Sequence, residues 1–406
     1  MKILVIHNHY QRRGGEDAVF ETECAMLETA GHEVVRFEVS NDVIPSGFGK
    51  CFFFFKTVWN RKTARAIRET IRREKPDVAH FHNTFPLVSP AAYHACAAEK
   101  IPVVQTIHNF RMCCLNAYLL RDGKVCEDCL GRNAWRGVFR KCYRGSFAQS
   151  FAVWAMLTFH GLLGTFRRKV RVYIALTEFG RQKMIKAGLP ENKIIVKGNT
   201  VKLPVPDKTN GRGKYGLLHR HPEPTVLYVG RLSNEKGVSV LVAAWGLCHG
   251  NLPQKSRLVI VGDGPEREAL EKQAAGFAGV SFAGALPPEQ VADWMRRATV
   301  LVSPSVCYET FGIAIVEAAA AGLPSIASDL GAFASLIKNG ETGFLFPMGD
   351  AVALSDTLTR ALASPAATRT VGENARRAFL AGESVPERNV VRLLDVYKEV
   401  KPKSGS

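Results

Sequence analysis

The chain alternates short apolar strands with amphipathic helices, stops, and then alternates again. In the first half KILVIH (2–7), EVVRFEV (33–39), DVAHFH (77–82), PVVQTI (102–107) and VYIALT (172–177) read as strands. Helical stretches near 17–30, 59–74, 89–99 and 147–168 separate them. Between 201 and 224 a segment rich in Pro, Gly and basic residues breaks the pattern. It restarts with TVLYVG (225–230), RLVIVG (257–262), VSFAG (280–284), TVLVS (299–303), PSIAS (324–328) and GFLF (343–346), with helices near 237–249, 265–275, 288–297, 312–321 and 350–363. Strands this short and this apolar are buried on both faces, and helices between them make the sheets parallel. The expected fold is therefore α/β, with two doubly wound Rossmann-like domains facing across a cleft at the carboxyl ends of their strands. The expected bounds are 1–200, a linker at 201–224, 225–385, and a last helix and tail, 386–406, crossing back onto the first domain.

At 406 residues the chain is long enough for two full cores. It opens as a strand, with no basic-then-apolar leader. No apolar run reaches the roughly 18 residues of a membrane span. Ten cysteines without a secretion signal imply reduced thiols, so a cytoplasmic protein is expected. Charge is unevenly placed. Residues 1–200 hold 31 Lys and Arg against 17 Asp and Glu, a balance of +14, whereas residues 201–406 hold 23 against 20, a balance of +3. The first domain thus suits phosphates, an anionic membrane surface or nucleic acid.

Three strand-end segments of the second domain carry chemistry. In SVCYETFGIAIVEAAAAGLPSIAS (305–328) two glutamates stand eight apart in an apolar run, where a carboxylate is either paired or in use. Glu309 falls in a loop and Glu317 in the following helix. The backbone N–H groups of Phe311, Gly312 and Ile313 would open that helix toward a diphosphate, with Gly312 permitting close approach. The bland alternative is a capping carboxylate plus a buried, neutralised one. In YVGRLSNEKG (228–237), Arg231 and Lys236 could grip one diphosphate, or form a solvated basic loop. IVGDGPEREALE (260–271) adds a Gly-rich turn at Gly262, a weak signal by itself.

Together these segments resemble one family, the GT-B retaining glycosyltransferases of family 4. They supply its E-x7-E pair, its GR-x4-KG loop and its GDGP turn in the family's order, followed by NGETGFLFPMGD (339–350). The resemblance implies a sugar transferred with retention from a nucleotide-sugar donor. Glu309 would bind donor-sugar hydroxyls, Glu317 the ribose, and Arg231 and Lys236 the diphosphate. RRGGEDAVF resembles the family's glycine loop, which places Gly14 and Gly15 near the diphosphate and acceptor. His108 matches the histidine beside the sugar ring, while His80 and His82 read as structural or acceptor-side. Many members carry NGVD where this chain reads KGNTV, so the role of Asn199 is open. No D-x-D occurs, and the expectation is metal-independent chemistry, with Arg231, Lys236 and the helix dipole stabilising the leaving charge.

Residues 111–145 form a cysteine-rich insert. Cys114 (or Cys113), Cys126, Cys129 and Cys142 have spacings that suit a structural zinc, and buried free thiols are the alternative. The stretch 46–75 joins an aromatic run to a basic helix and reads either as an anionic-membrane contact or as a packed Phe cluster beside a solvated helix. The acceptor is thus expected to be an anionic glycan or lipid-linked sugar, with the protein peripheral on the inner membrane face. A GT-B epimerase or phosphorylase, and a nucleic-acid-binding protein, are the rival readings. Neither rival accounts for the whole set: no pyridoxal lysine or additional acid–base pair is evident, and nucleic-acid binding leaves Glu309 and Glu317 unexplained.

Overall fold

The computed structural model describes residues 1–11, 14–41, 55–201 and 223–401. Most of the expected linker, Arg12, Arg13 and the stretch 46–54 lie outside the described residues. By contact the chain divides into two compact units. Met1–Arg121, Cys126–Thr200 and Pro386–Ser406 make the first; Asp122–Val125 and Val201–Val385 make the second.

The first unit is built on six parallel strands: β1 (Lys2–His9), β2 (Glu33–Ser40), β3 (Val78–Phe81), β4 (Val103–Ile107), β5 (Val172–Ala175) and β6 (Ile194–Val196). Their order is β2-β1-β3-β4-β5-β6. Ile3, Leu4, Val5 and Ile6 are fully buried, as a strand covered on both faces requires. Helix α1 (Gly15–Thr29) covers one face and packs Phe20, Cys24 and Leu27 against Ile3, Val5 and Val78. The C-terminal helix α2 (Pro386–Val400) joins the same core through Leu393, Val396, Tyr397 and Val400. The expected helix near 147–168 is two helices, Phe147–Leu162 and Thr165–Arg168. They part at Gly164, whose left-handed φ of 65° ends the first.

The second unit repeats the plan with β7 (Thr225–Val229), β8 (Arg257–Val261), β9 (Val280–Gly284), β10 (Val300–Ser303), β11 (Ser325–Ser328) and β12 (Phe344–Phe346). The order is β9-β8-β7-β10-β11-β12, all parallel. Trp245, Leu241, Leu258, Ile260, Ile326 and Leu354 fill its core. A helix at Pro365–Ala381 extends the expected series beyond 363. Pro365 occupies its first turn, where the missing N–H costs nothing, so the residue that reads as a stop is also a start.

Candidate active site

In a doubly wound sheet the chain leaves in opposite directions from the two strands flanking the point where strand order reverses, and a crevice opens at their carboxyl ends. In the second unit those strands are β7 and β10. The loop after β7 holds Arg231 and Lys236; the loop after β10 holds Glu309. The two loops are fastened together. Val306 N–H donates to the Glu235 carbonyl at 3.0 Å. Gly237 adopts φ 63°, and a Cβ there would lie 2.1 Å from the Pro304 carbonyl oxygen, so only glycine fits.

Lys236 Nζ donates to Glu309 Oε1 at 2.6 Å, and Ser305 Oγ donates to the same oxygen at 2.8 Å. Burial would raise the Glu309 carboxyl, but Lys236 and Ser305 hold it below its ordinary range. Burial likewise works against the Lys236 charge, and Glu309 overrides it, so the ammonium is strengthened. Arg231 is exposed, and its side chain has no partner among the described residues; only its carbonyl is engaged, accepting the Tyr228 hydroxyl at 2.9 Å.

The GDGP turn clasps the same loop. Leu232 N–H donates to the Asp263 carbonyl, and Glu266 N–H to the Leu232 carbonyl, both at 3.0 Å. A Cβ on Gly262 (φ 137°) would fall 1.8 Å from the Gly230 carbonyl oxygen, and one on Gly264 would fall 2.1 Å from that of Leu232. Backbone packing therefore accounts for Gly262.

The helix after Glu309, α3 (Ile313–Ala320), starts at Gly312, whose φ of 95° and ψ of 57° are left-handed. A Cβ there would meet the Phe333 ring at 2.7 Å, so the fold itself requires this glycine, apart from any ligand. The Phe311 side chain is buried. The leading N–H groups of the helix have no intrahelical acceptor. Glu317 is half-buried without a partner among the described residues, and burial pushes its carboxyl up to about 7.

In the first unit the strand order reverses between β1 and β3. Gly14 precedes α1, and its N–H donates to Asp17 Oδ2 at 2.7 Å. A Cβ on Gly14 would meet only that oxygen, at 3.8 Å, so packing does not demand glycine there. Gly15 is the exposed first residue of the helix. Asp17 Oδ1 also lies 2.8 Å from His7 Nε2 and 3.0 Å from His9 Nδ1.

His108, just past β4, is buried, and its Nε2 lies 3.0 Å from His82 Nδ1. His82 Nε2 lies 3.1 Å from Glu23 Oε1, and Glu23 Oε2 accepts from Lys197 Nζ at 3.3 Å. His80 sits between the Tyr397 hydroxyl (2.7 Å) and Thr106 Oγ1 (2.8 Å). Burial lowers His82 to about 4 and His108 well below the usual histidine range. Burial would raise Glu23, yet Lys197, His80 and His82 hold it well below the carboxylate range. The ionised Glu23 can only accept, so His82 Nε2 donates, its Nδ1 accepts, and His108 carries its proton on Nε2.

Among the described residues, two sets of side chains bring three ligand atoms within 4.8 Å of one another: His7, His9 and Asp17, and Glu23, His80 and His82. In the second set Lys197 already supplies the positive charge and the histidine nitrogens have partners, so it reads as a hydrogen-bond network. Sequence reasoning missed Glu23, although its signal was available: it lies on the buried stripe of α1 between Phe20 and Leu27. It also missed Glu16. Asn109 Nδ2 donates to Glu16 Oε1 at 2.7 Å, its Oε2 is buried and unpartnered, and burial raises the group to about 7.

The insert draws its cysteines together. Cys129 and Cys142 pack on a cluster of Phe85, Leu115, Ala134 and Val138. Burial raises Cys129 to about 11, with Cys114, Cys142 and Cys126 adding to it. Burial raises the Cys114 thiol, which donates to Asn116 Oδ1 at 2.9 Å, and nearby backbone groups of Leu119, Asn116 and Ala117 offset part of the rise. The sulfurs are not drawn together as tightly as the two histidine-containing sets.

Both halves of the chain are similar to known proteins. A model of Glycosyltransferase Family 4 matches residues 6–203, and one of Glycosyl transferases group 1 matches residues 223–364. The phosphatidyl-myo-inositol mannosyltransferase of Mycobacterium leprae is 35% identical over 211 residues, 50% of this chain and 53% of that protein. The chain spans about half the length of the curated relatives it matches. Sucrose-phosphate synthase from Thermosynechococcus elongatus superposes with a TM-score of 0.70 at 21% identity, covering 98% of each chain. Anabaena Alr3699/HepE, solved with UDP and glucose, does so at 0.69 and 18%, covering 98% of this chain and 99% of its own. The solved neighbours show the fold to be GT-B, and each half of the chain matches a glycosyltransferase family model.

Proposed function

We propose that this chain moves a sugar from a nucleotide-sugar to an acceptor hydroxyl with retention of configuration and without a catalytic metal. The observation that carries the reading is the Ser305–Glu309–Lys236 cluster at the reversal point of the second sheet, beside an uncommitted Arg231 and the open start of α3. The donor diphosphate would engage Arg231, Lys236 and the N–H groups of Gly312 and Ile313, which stabilise the charge that develops on the leaving phosphate. Both hydrogen bonds to Glu309 fall on Oε1, leaving Oε2 for sugar hydroxyls. Glu317 would take the ribose. Within the first unit, Gly14, Gly15 and His108 are the residues proposed to serve the acceptor and sugar, as the family resemblance implies. Neighbours solved with UDP put UDP-sugars first in a donor screen, and a relative named for phosphatidyl-myo-inositol favours a lipid-linked, anionic acceptor.

The experiment is a panel of nucleotide-sugars with the purified protein. Donor hydrolysis, and a product whose anomeric configuration by NMR matches the donor, support the reading. Interconversion of sugars without transfer, or phosphorolysis, would instead favour the epimerase or phosphorylase class.

A structural zinc at Cys114, Cys126, Cys129 and Cys142 is the accompanying proposal. Cys129 and Cys142 already pack on one apolar cluster, and binding would draw the four sulfurs closer than they stand.

A further inference from the structure

Residues 129–177 contain nine Lys and Arg and no Asp or Glu. The same stretch exposes apolar side chains: Trp135 (37%), Phe139 (61%), Phe147 (46%), Phe159 (42%), Leu162 (84%) and Leu163 (43%). Three of these are continuous as rings. Trp135 lies 4.9 Å from Phe139 by ring centroids, and Phe139 lies 6.2 Å from Phe147. Trp154, 4.6 Å from Trp135, backs them. The rings lead onto the helix Phe147–Leu162, whose far end carries Phe159, Leu162 and Leu163. Arg132, Arg136, Lys141 and Arg144 are exposed beside the rings, with no acidic partner among the described residues.

The basic helix picked out from the sequence is different. Arg68 and Arg72 reach Glu99 at 2.8 and 3.0 Å, and Arg73 reaches Glu74 at 2.8 Å. Three of its arginines are thus answered within the domain, while Arg61, Lys62 and Arg65 remain exposed beyond them.

We propose that the face formed by Trp135, Phe139, Phe147 and the arginines around them docks on an anionic lipid bilayer. Aromatic rings rimmed by Lys and Arg match the headgroup boundary: the rings enter it and the cations stay with the lipid phosphates. A second copy fits poorly, because a two-fold contact would set this strongly basic surface, whose nearby Asp128 is already held by Arg121 and Arg140, against itself. Single-stranded nucleic acid fits less well. Trp135 and Phe139 stand edge to face at 86°, so their planes do not lie parallel as a platform for consecutive bases. The proposal goes beyond the transferase reading, since docking needs no donor or acceptor.

The test is flotation of the full chain with neutral phosphatidylcholine vesicles and with vesicles that also carry phosphatidylglycerol. Three variants accompany the wild type: Phe139→Glu/Phe147→Glu, Arg132→Glu/Arg136→Glu/Arg144→Glu, and Arg68→Glu/Arg72→Glu. Matched circular-dichroism melts confirm folding; the arginine variant keeps the test usable if the aromatic one melts early. The expected result is binding to the anionic vesicles alone that falls as salt rises. It should drop roughly tenfold or more in the first two variants and persist in the third. Full binding by the first two variants, or equal binding to neutral vesicles, overturns the proposal. So does a concentration-dependent dimer abolished by Phe139→Glu/Phe147→Glu, or tighter binding to single-stranded DNA than to anionic vesicles at the same salt.

Discussion

Lys236 and Glu309, 73 positions apart, meet at 2.6 Å where two loops are fastened side by side, with 30% and 18% of their side chains exposed. The contact makes each the other's counter-charge before any donor arrives. Lys236→Ala strands a mostly buried carboxylate as well as removing a phosphate ligand. It should cost about 1–3 kcal/mol of stability, less than a fully buried pair would lose, and on the order of 10²–10³ in kcat. Glu309→Gln keeps a group for Ser305 and Lys236 to bond. It should melt within a few degrees of wild type yet lose activity comparably. Initial rates and thermal melts separate the two effects; equal melting losses in both variants would show that the pair is purely structural.

Glu317 shows the opposite electrostatics. No described residue pairs it, and burial lifts it to about 7. Since the folded value exceeds the unfolded one, stability falls as pH rises from the ordinary carboxylate range through about 7. Glu317→Gln should therefore stabilise the donor-free protein at pH 8 by up to about 3 kcal/mol and do little near pH 4. The same variant should raise the donor KM if the carboxylate holds the ribose. Denaturant curves at the two pH values check the first part; a variant no more stable at pH 8 than wild type removes it.

How much of this was legible follows from range. Eleven of the twelve strands of the two sheets coincide with the local apolar runs, and Arg231, Lys236 and Glu309 stand in loops at strand ends that the runs themselves mark, with Glu317 in the helix that follows. What Gly312 does was not legible, because its reason is Phe333, in a separate helix beyond the next strand. Gly262 is similar: the obstruction is the carbonyl of Gly230, in a different loop. Glu23 reads as one polar residue on an apolar helix stripe until the fold brings Lys197 and three histidines around it. Composition points to 46–75 as the aromatic–basic stretch, and only the packing shows that Glu99 answers Arg68 and Arg72.

The clasp between the two glycine turns gives a backbone prediction. Gly262→Ala places a methyl 1.8 Å from the Gly230 carbonyl oxygen, and no side-chain rotation relieves a clash with backbone. The variant should lose several kcal/mol and misplace Arg231, on the order of 3 or more. Gly14→Ala meets only Asp17 Oδ2 at 3.8 Å and should melt like wild type, while transfer falls if a ligand passes there. Melting and donor kinetics on both variants check this; a Gly262→Ala protein with unchanged stability would contradict the clasp.

The cysteine insert predicts a stoichiometry. Protein purified without chelator should carry about one zinc per chain, and Cys126→Ser/Cys129→Ser should carry none and lose protease resistance in residues 111–145. Chelator should leave the donor chemistry intact over times too short to strip the insert. Elemental analysis decides, and zinc-free, fully folded wild type would assign the thiols to packing alone.

Glu23 is fully enclosed with Lys197, and it sets the tautomers of His82 and His108. Glu23→Ala leaves Lys197, 2% exposed, as an unanswered buried cation, which should cost about 3–5 kcal/mol. Adding Lys197→Met to form the double variant should recover part of that loss, because the pair then carries no unpaired charge, although the cavity left by Glu23 remains. Stability would then recover while activity would not, if His108 must keep its proton on Nε2. The pH dependence has a definite sign. The folded Glu23 value is depressed, so its contribution is complete above the unfolded carboxylate range and is lost as pH falls toward the folded value. Wild type should accordingly outlast the double variant at pH 7, with the gap closing in acid. Nitrogen-15 shifts of the His108 ring report the tautomer directly. A ring protonated on Nδ1 in the wild type, or one unchanged by Glu23→Ala, would break the link from Glu23 to His108.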